Sequence, residues 1–164
     1  MSTDKERLVT AQWIFERQLA WIATADLKVA AMVALNTGLL GGLAAAFSTS
    51  KSEVRTAWAF FLTLTAAGLS VIGVFCAAMA MHPRVGGPPK SLLFFGRVAG
   101  LTDGAYHLAL MAATEGELIK DWADQIHRNA QVAHEKYWWV KRGMGWSFVS
   151  AIPWVLAIGL LVKN

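Results

Sequence analysis

The stretch ATADLKVAAMVALNTGLLGGLAAAF, Ala23 to Phe47, decides how the rest of the chain is read. After Lys28 no charged residue appears until Lys51. The uncharged run from Val29 to Phe47 holds about 19 apolar or small residues, close to the ~20 a helix needs to cross a bilayer core. Within it Ala30, Ala34, Gly38, Gly42 and Ala46 recur at every fourth position. On a helix this spacing predicts a stripe of small side chains. Lipid gives no hydrophobic reward for helix–helix contact, so membrane helices associate where small residues let backbones approach. The stripe is therefore expected to be a packing face, within the chain or between copies of it.

Composition agrees with a membrane protein. Of the 164 residues 55% are hydrophobic, above the ~45–50% of soluble domains. Eight tryptophans fit a protein with two water–lipid boundaries. The formal charge of +4 comes from basic residues spread along the chain, which argues for a positive-inside bias and against a nucleic-acid polymer as partner. The single cysteine, Cys76, excludes an internal disulfide, and no Cys/His spacing suggests a metal. Ala44-Ala45-Ala46 imitates a signal cleavage site, but the apolar run begins too late for a normal leader.

Before the first span, residues 1–28 read as an amphipathic helix starting near Ser2 or Thr3 and running straight into the membrane. A polar link, Ser48 to Thr56, leads to a second apolar run from Ala57 to Met81, so residues 29–81 form a transmembrane hairpin. The segment HPRVGGPP, His82 to Pro89, cannot continue a helix. Residues 82–143 then read as a polar helical insert. Leu92 to Ala113 is too rich in charge to be a span, since it holds Arg97, Asp103 and His107. Thr102 or Asp103 is expected to cap one insert helix, and Thr114 with Glu117 to form a capping box for the next. That next helix shows an apolar face through Ile119, Trp122, Ile126, Ala130, Ala133, Tyr137 and Val140, which must be buried against another element. Gly143 and Gly145 are expected to loosen the junction to a third span in residues 144–164, kinked at Pro153 and ended by Lys163.

The fold expected is thus all-α: an integral membrane protein with three transmembrane helices and a cytoplasmic helical insert between spans two and three. Of the 15 Lys and Arg, all but Lys51, Arg55 and Lys163 fall in the N-terminal segment and the insert. The positive-inside rule places those two parts in the cytoplasm and the C-terminus outside.

No catalytic pattern stands out. There is no phosphate loop or nucleophile elbow, and the acidic residues Glu115, Glu117, Asp121 and Asp124 read as a solvated helix face. His127 and His134, two turns apart, are too distant to share a metal. Asp26 and Lys28 are expected to form a charge pair at the mouth of the first span.

Several short motifs, in order, carry a resemblance. They are Ala25-Asp26-Leu27-Lys28 with Asn36 in mid-span, Leu92-Leu93-Phe94-Phe95-Gly96, Leu101-Thr102-Asp103 followed by Tyr106, and Gln125-Ile126 with Lys136-Tyr137. Together, across Ile22 to Leu161, the chain resembles the Pycsar effector domain family, the PycTM-type transmembrane effectors of bacterial antiphage defence. The resemblance implies a bacterial inner-membrane effector, not an enzyme and without a cofactor. Such a protein binds a cyclic pyrimidine mononucleotide, cCMP or cUMP, on its cytoplasmic side. It then oligomerises or rearranges to impair the bilayer. A site of this kind needs a cation for phosphate and an aromatic face for the base. Arg97 and Arg128 are the candidate phosphate partners, and Phe94, Phe95, Tyr106 and Trp122 the candidate stacking residues. The alternative is a constitutive structural or scaffolding membrane subunit whose insert binds a protein partner.

Overall fold

The computed structural model describes residues 3–162, and every regular element in them is helical. Helix α1 (Asp4–Thr49) runs unbroken through the amphipathic segment and the first span. It is opened by a reciprocal cap: the Thr3 amide donates to Glu6 Oε2 (2.9 Å) and the Glu6 amide to Thr3 Oγ1 (3.4 Å). The alternative start at Ser2, like the end of the third span at Lys163, lies outside the described residues. A 3₁₀ turn (Ser52–Val54) leads to α2 (Ala57–Met81), capped by Thr56 Oγ1, which accepts from the Ala59 amide. The Arg55 guanidinium donates to the carbonyls of Phe47 (3.0 Å) and Ser50 (2.8 Å), supplying partners to the free end of α1. After the Pro/Gly break come α3 (Phe95–Val98), α4 (Asp103–Ala112) capped by Thr102, and α5 (Glu115–Leu161). The capping box at the start of α5 forms as expected: Thr114 N–H donates to Glu117 Oε2 (2.8 Å), and the Glu117 amide to Thr114 Oγ1 (3.3 Å). Three of these helices, α1, α2 and α5, are long and apolar enough to cross a membrane.

The chain divides into two compact units. One comprises Met1–Thr24 and Pro83–Glu135, so the N-terminal helix belongs with the insert. There it supplies cover for the apolar face of α5, with Phe15 meeting Trp122 edge to face at 4.9 Å. The other unit, Ala25–His82 and Lys136–Asn164, is a bundle of three helices. Both α1 and α5 contribute to both units, and neither is interrupted on passing from one to the other.

The bundle is built inside out relative to a soluble protein. Phe60, Phe61, Val71, Phe148, Ile152 and Val155 are exposed, while Ala59, Ala66, Ala77, Ala80 and Ala157 are buried. Small residues inside allow close backbones, and large apolar residues outside suit lipid. The buried seam follows alternating steps of three and four: Ala25, Val29, Met32, Asn36 and Leu43 on α1, Ala66, Ser70, Gly73, Ala77 and Ala80 on α2. On α5 it runs through Val140, Gly143, Ser147, Ser150, Ala157 and Leu161.

This seam is not the small-residue stripe. Ala30, Ala34 and Gly38 are exposed, and only Gly42 and Ala46 are half-buried. A strict step of four advances about 400° around the axis, so each member drifts by about 40° from the last. Five members therefore spiral away from the seam, which averages 3.5 residues per turn. Nothing lies within 4 Å of a Cβ built on Gly38, whereas one on Gly42 would sit 3.2 Å from the Trp154 ring. Gly143 does not loosen the helix either: α5 is continuous through it. A Cβ there would lie 2.5 Å from Met32 Sδ and 2.9 Å from Cys76 Cβ, so this glycine marks a point of close approach. Pro153 is accommodated within α5.

Candidate functional site

In the unit formed by the N-terminal helix and the insert, the segment after the prolines is sewn onto α5. Ser91 is buried, and its Oγ accepts from the amides of Leu93 (3.0 Å) and Phe94 (2.8 Å) and from Gln125 Nε2 (2.9 Å). Asp121 Oδ2 accepts from the Leu92 amide (2.7 Å), and the Tyr106 hydroxyl donates to the Leu92 carbonyl (3.2 Å). An irregular segment has no ladder of its own to satisfy its backbone, and these side chains supply the partners. Two charged residues fasten the preceding loop: Arg128 Nε donates to the Gly86 carbonyl (2.7 Å), and Arg84 pairs with Glu135 at 2.6 Å.

Beside this seam lies a cleft of about 560 Å³, within the ~300–1,000 Å³ typical of small-molecule sites. Its walls include Pro88, Leu92, Ala109, Ala112 and Leu118, which are apolar, and Lys90, Lys120, Asp121 and Asp124, which are charged. The lining is thus part apolar and part charged, with both signs present. Glu117, also at the cleft, is committed to the capping box, where the Thr114 N–H and hydroxyl hold its carboxyl below the usual range. A second cleft of about 610 Å³ lies between Thr10 and Ile14 of α1 and Ile119 and Ile126 of α5.

All six residues singled out from the sequence for a ligand belong to this unit. None of them lines the 560 Å³ cleft. Arg128 clips the glycine loop, and Trp122 packs on Phe15. Tyr106 holds the Leu92 carbonyl. Phe94 lies against two glycines: a Cβ on Gly87 would come within 2.6 Å of its ring and one on Gly96 within 2.7 Å. Phe95, 67% exposed, stands 4.9 Å from the Phe94 ring, and Arg97 is exposed. Four of the six, Arg128, Trp122, Tyr106 and Phe94, thus contact other parts of the chain, and the cations on the cleft are Lys90 and Lys120. Sequence reasoning passed over these two because an isolated lysine on a polar segment carries no pattern. No cluster of metal-ligating side chains occurs among the described residues.

In the bundle, Asp26 and Lys28 do not pair with each other. Residues two apart on a helix point in different directions. Asp26 instead forms an ion pair with Lys136, and the Lys28 ammonium lies 5.1 Å from the centre of the Tyr137 ring. Both bind α1 to α5. Lower in the bundle Trp154 Nε1 donates to the Leu39 carbonyl (2.8 Å), another α1–α5 tie. The bundle centre is polar. Asn36 Nδ2 donates to Ser147 Oγ (2.7 Å) and to the Met32 carbonyl (2.8 Å), and Ser147 Oγ donates to the Gly143 carbonyl (2.8 Å). A hydrogen bond between membrane helices contributes about 0.6–2 kcal/mol.

No curated protein and no solved structure matches the chain. A family match covers residues 10–163, and so takes in the second half of the N-terminal segment that the sequence motifs left unassigned. Membership suggests a transmembrane antiphage effector, and with the three apolar helices it fits an inner-membrane location. With nearly the whole of its length matched, the chain belongs to the PycTM family, the Pycsar effector protein domain.

Proposed function

We propose that this protein is a ligand-operated membrane effector whose cytoplasmic unit, residues 1–24 and 83–135, binds cCMP or cUMP in the 560 Å³ cleft. Binding then alters the packing of the three-helix bundle and impairs the inner membrane. The observation that carries this reading is that α1 and α5 belong to both units without a break. A ligand that binds one arrangement of these helices better than another shifts the equilibrium by its difference in affinity, and uninterrupted helices give the bundle a share in that shift. Lys90 and Lys120 supply the cations for a cyclic phosphodiester, and the apolar wall receives the ribose and base. Asp124 offers a carboxylate to the exocyclic amine of cytosine. Arg128 and Tyr106 hold the segment beside the cleft and do not contact the ligand.

The test is calorimetry on the purified protein with cCMP, cUMP, cAMP and cGMP. A pyrimidine nucleotide is expected to bind, and Lys90→Ala with Lys120→Ala to abolish binding while Arg97→Ala leaves it intact. Equal binding of purines, or full affinity in the double lysine variant, would refute the site. A second reading, an insert that binds a protein partner, is favoured by Leu108 and Met111 of α4, 70% and 72% exposed. It would be left standing if no nucleotide binds.

A further inference from the structure

Membrane bundles bury small and apolar residues, yet most of the larger side chains fully buried here are polar. The largest side chains that are essentially fully buried are Val29, Asn36, Ser70, Ser147 and Ser150, and four of these five can hydrogen-bond. The four polar ones come from all three helices. On one side lies an apolar layer of Val29, Met32, Ala77, Ala80 and Val140, and on the other a layer of Leu43, Ala66 and Ala157. Between them Asn36 reaches Ser147, and Gly73 leaves the room: a Cβ there would sit 2.8 Å from Ser147 Oγ and 3.0 Å from both Asn36 Nδ2 and Oδ1.

The layer is not closed upon itself. Asn36 Oδ1 is buried without a hydrogen-bond partner. An amide oxygen in that position costs about 1–3 kcal/mol relative to one that is satisfied. Helix packing alone would be served as well by alanine, and register by a fully paired amide. An acceptor left open on the bundle axis is instead suited to water or a partly dehydrated ion.

We propose that Asn36, Ser70, Ser147 and Ser150 line an ion-conducting path, shut in this packing by the apolar layers on either side. This rests on the reading that ligand binding permeabilises the membrane, and it specifies the route: a defined path along the bundle interior and not rupture of the bilayer. When the apolar layers part, amide and hydroxyl oxygens replace some of the water around a passing monovalent ion. The lining carries no formal charge, so the path discriminates weakly between cations and anions.

The test uses the full-length protein in planar bilayers under a KCl gradient, with cCMP or cUMP added on the side of the insert. Asn36→Leu is expected to lower the unit current by about tenfold or more while nucleotide binding by calorimetry is unchanged. Asn36→Asp is expected to move the reversal potential toward that of K⁺. Gly73→Val drives a side chain into the layer and is expected to conduct without nucleotide; should it fail to fold, Asn36→Asp still decides. Unaltered current and selectivity in both Asn36 variants would overturn the inference while the ligand reading stands. Current in Gly73→Val that depends on Asn36, with no response of the wild type to any nucleotide, would sustain the path and overturn the ligand reading. Silence in every variant and in the wild type would overturn both.

Discussion

Ser91→Ala removes one oxygen and unpins the wall of the cleft. Three donors converge on that oxygen: the Leu93 and Phe94 amides and Gln125 Nε2. Gln125 is 4% exposed, so water cannot readily replace the lost acceptor, and an unsatisfied buried donor costs about 1–3 kcal/mol. The two amides belong to half-buried residues, where rehydration limits each loss to about 0.5 kcal/mol. The expected cost is therefore about 2–4 kcal/mol, confined to the segment between the prolines and α3. At about 1.4 kcal/mol per decade, amide hydrogen exchange across residues 91–98 should accelerate by roughly 30- to 1,000-fold, with the bundle unaffected. Exchange read by mass spectrometry on the detergent-solubilised protein measures this directly. Adding Gln125→Leu should recover part of the loss, because removing both partners costs less than stranding one. An exchange rate within about threefold of the wild type would refute the reasoning, since no opening of the segment would then be limited by these bonds.

Charge reversal at Asp26→Lys places two cations together at the α1–α5 contact, where Lys136 is only 13% exposed, and should lower the melting temperature; the swap Asp26→Lys with Lys136→Asp should restore most of it. The Glu117 carboxyl is held below its ordinary range by Thr114, so its contribution is present above the unfolded carboxylate pKa and lost as pH falls through the lowered value. Exchange at the start of α5 should thus rise in acid in the wild type, and Glu117→Gln should flatten that dependence. Gly42→Leu should disturb the fold by colliding with Trp154, while Gly38→Leu meets no neighbour and should leave the monomer intact. If the exposed stripe of Ala30, Ala34 and Gly38 joins copies, cross-linking in membranes will show Gly38→Leu reducing the oligomer with unchanged monomer stability; an unaltered ladder would dismiss that role.

Much of the architecture was legible because it follows from length, hydropathy and local capping. The second span, Ala57 to Met81, has the same limits in sequence and structure, and Thr114 with Glu117 forms the anticipated box. The face packed inside the bundle departs from the stripe because a repeat of four looks straight in sequence but turns on a helix, whereas the bundle's seam alternates three and four through Asn36, Gly73 and Ser147. That alternation, visible in Gly143, Ser147, Ser150 and Ala157, was the available signal. The cleft was less legible. Arg128 and Phe94, expected from residue chemistry as ligand groups, contact the glycine loop and neighbouring glycines of the chain itself. Lys90 and Lys120 line one cleft although they are far apart in sequence, and no local pattern shows that.

The proposal at the centre is that a nucleotide held by the unit of the N-terminal helix and the insert controls the membrane bundle. Ion flux from liposomes containing the purified chain, followed while cCMP, cUMP, cAMP or cGMP is added, tests it most directly. The account predicts flux with at least one pyrimidine nucleotide, none with the purines, and loss of the response when Lys90 and Lys120 are both alanine. Liposomes that stay sealed with every nucleotide, or leak equally without any, would contradict it.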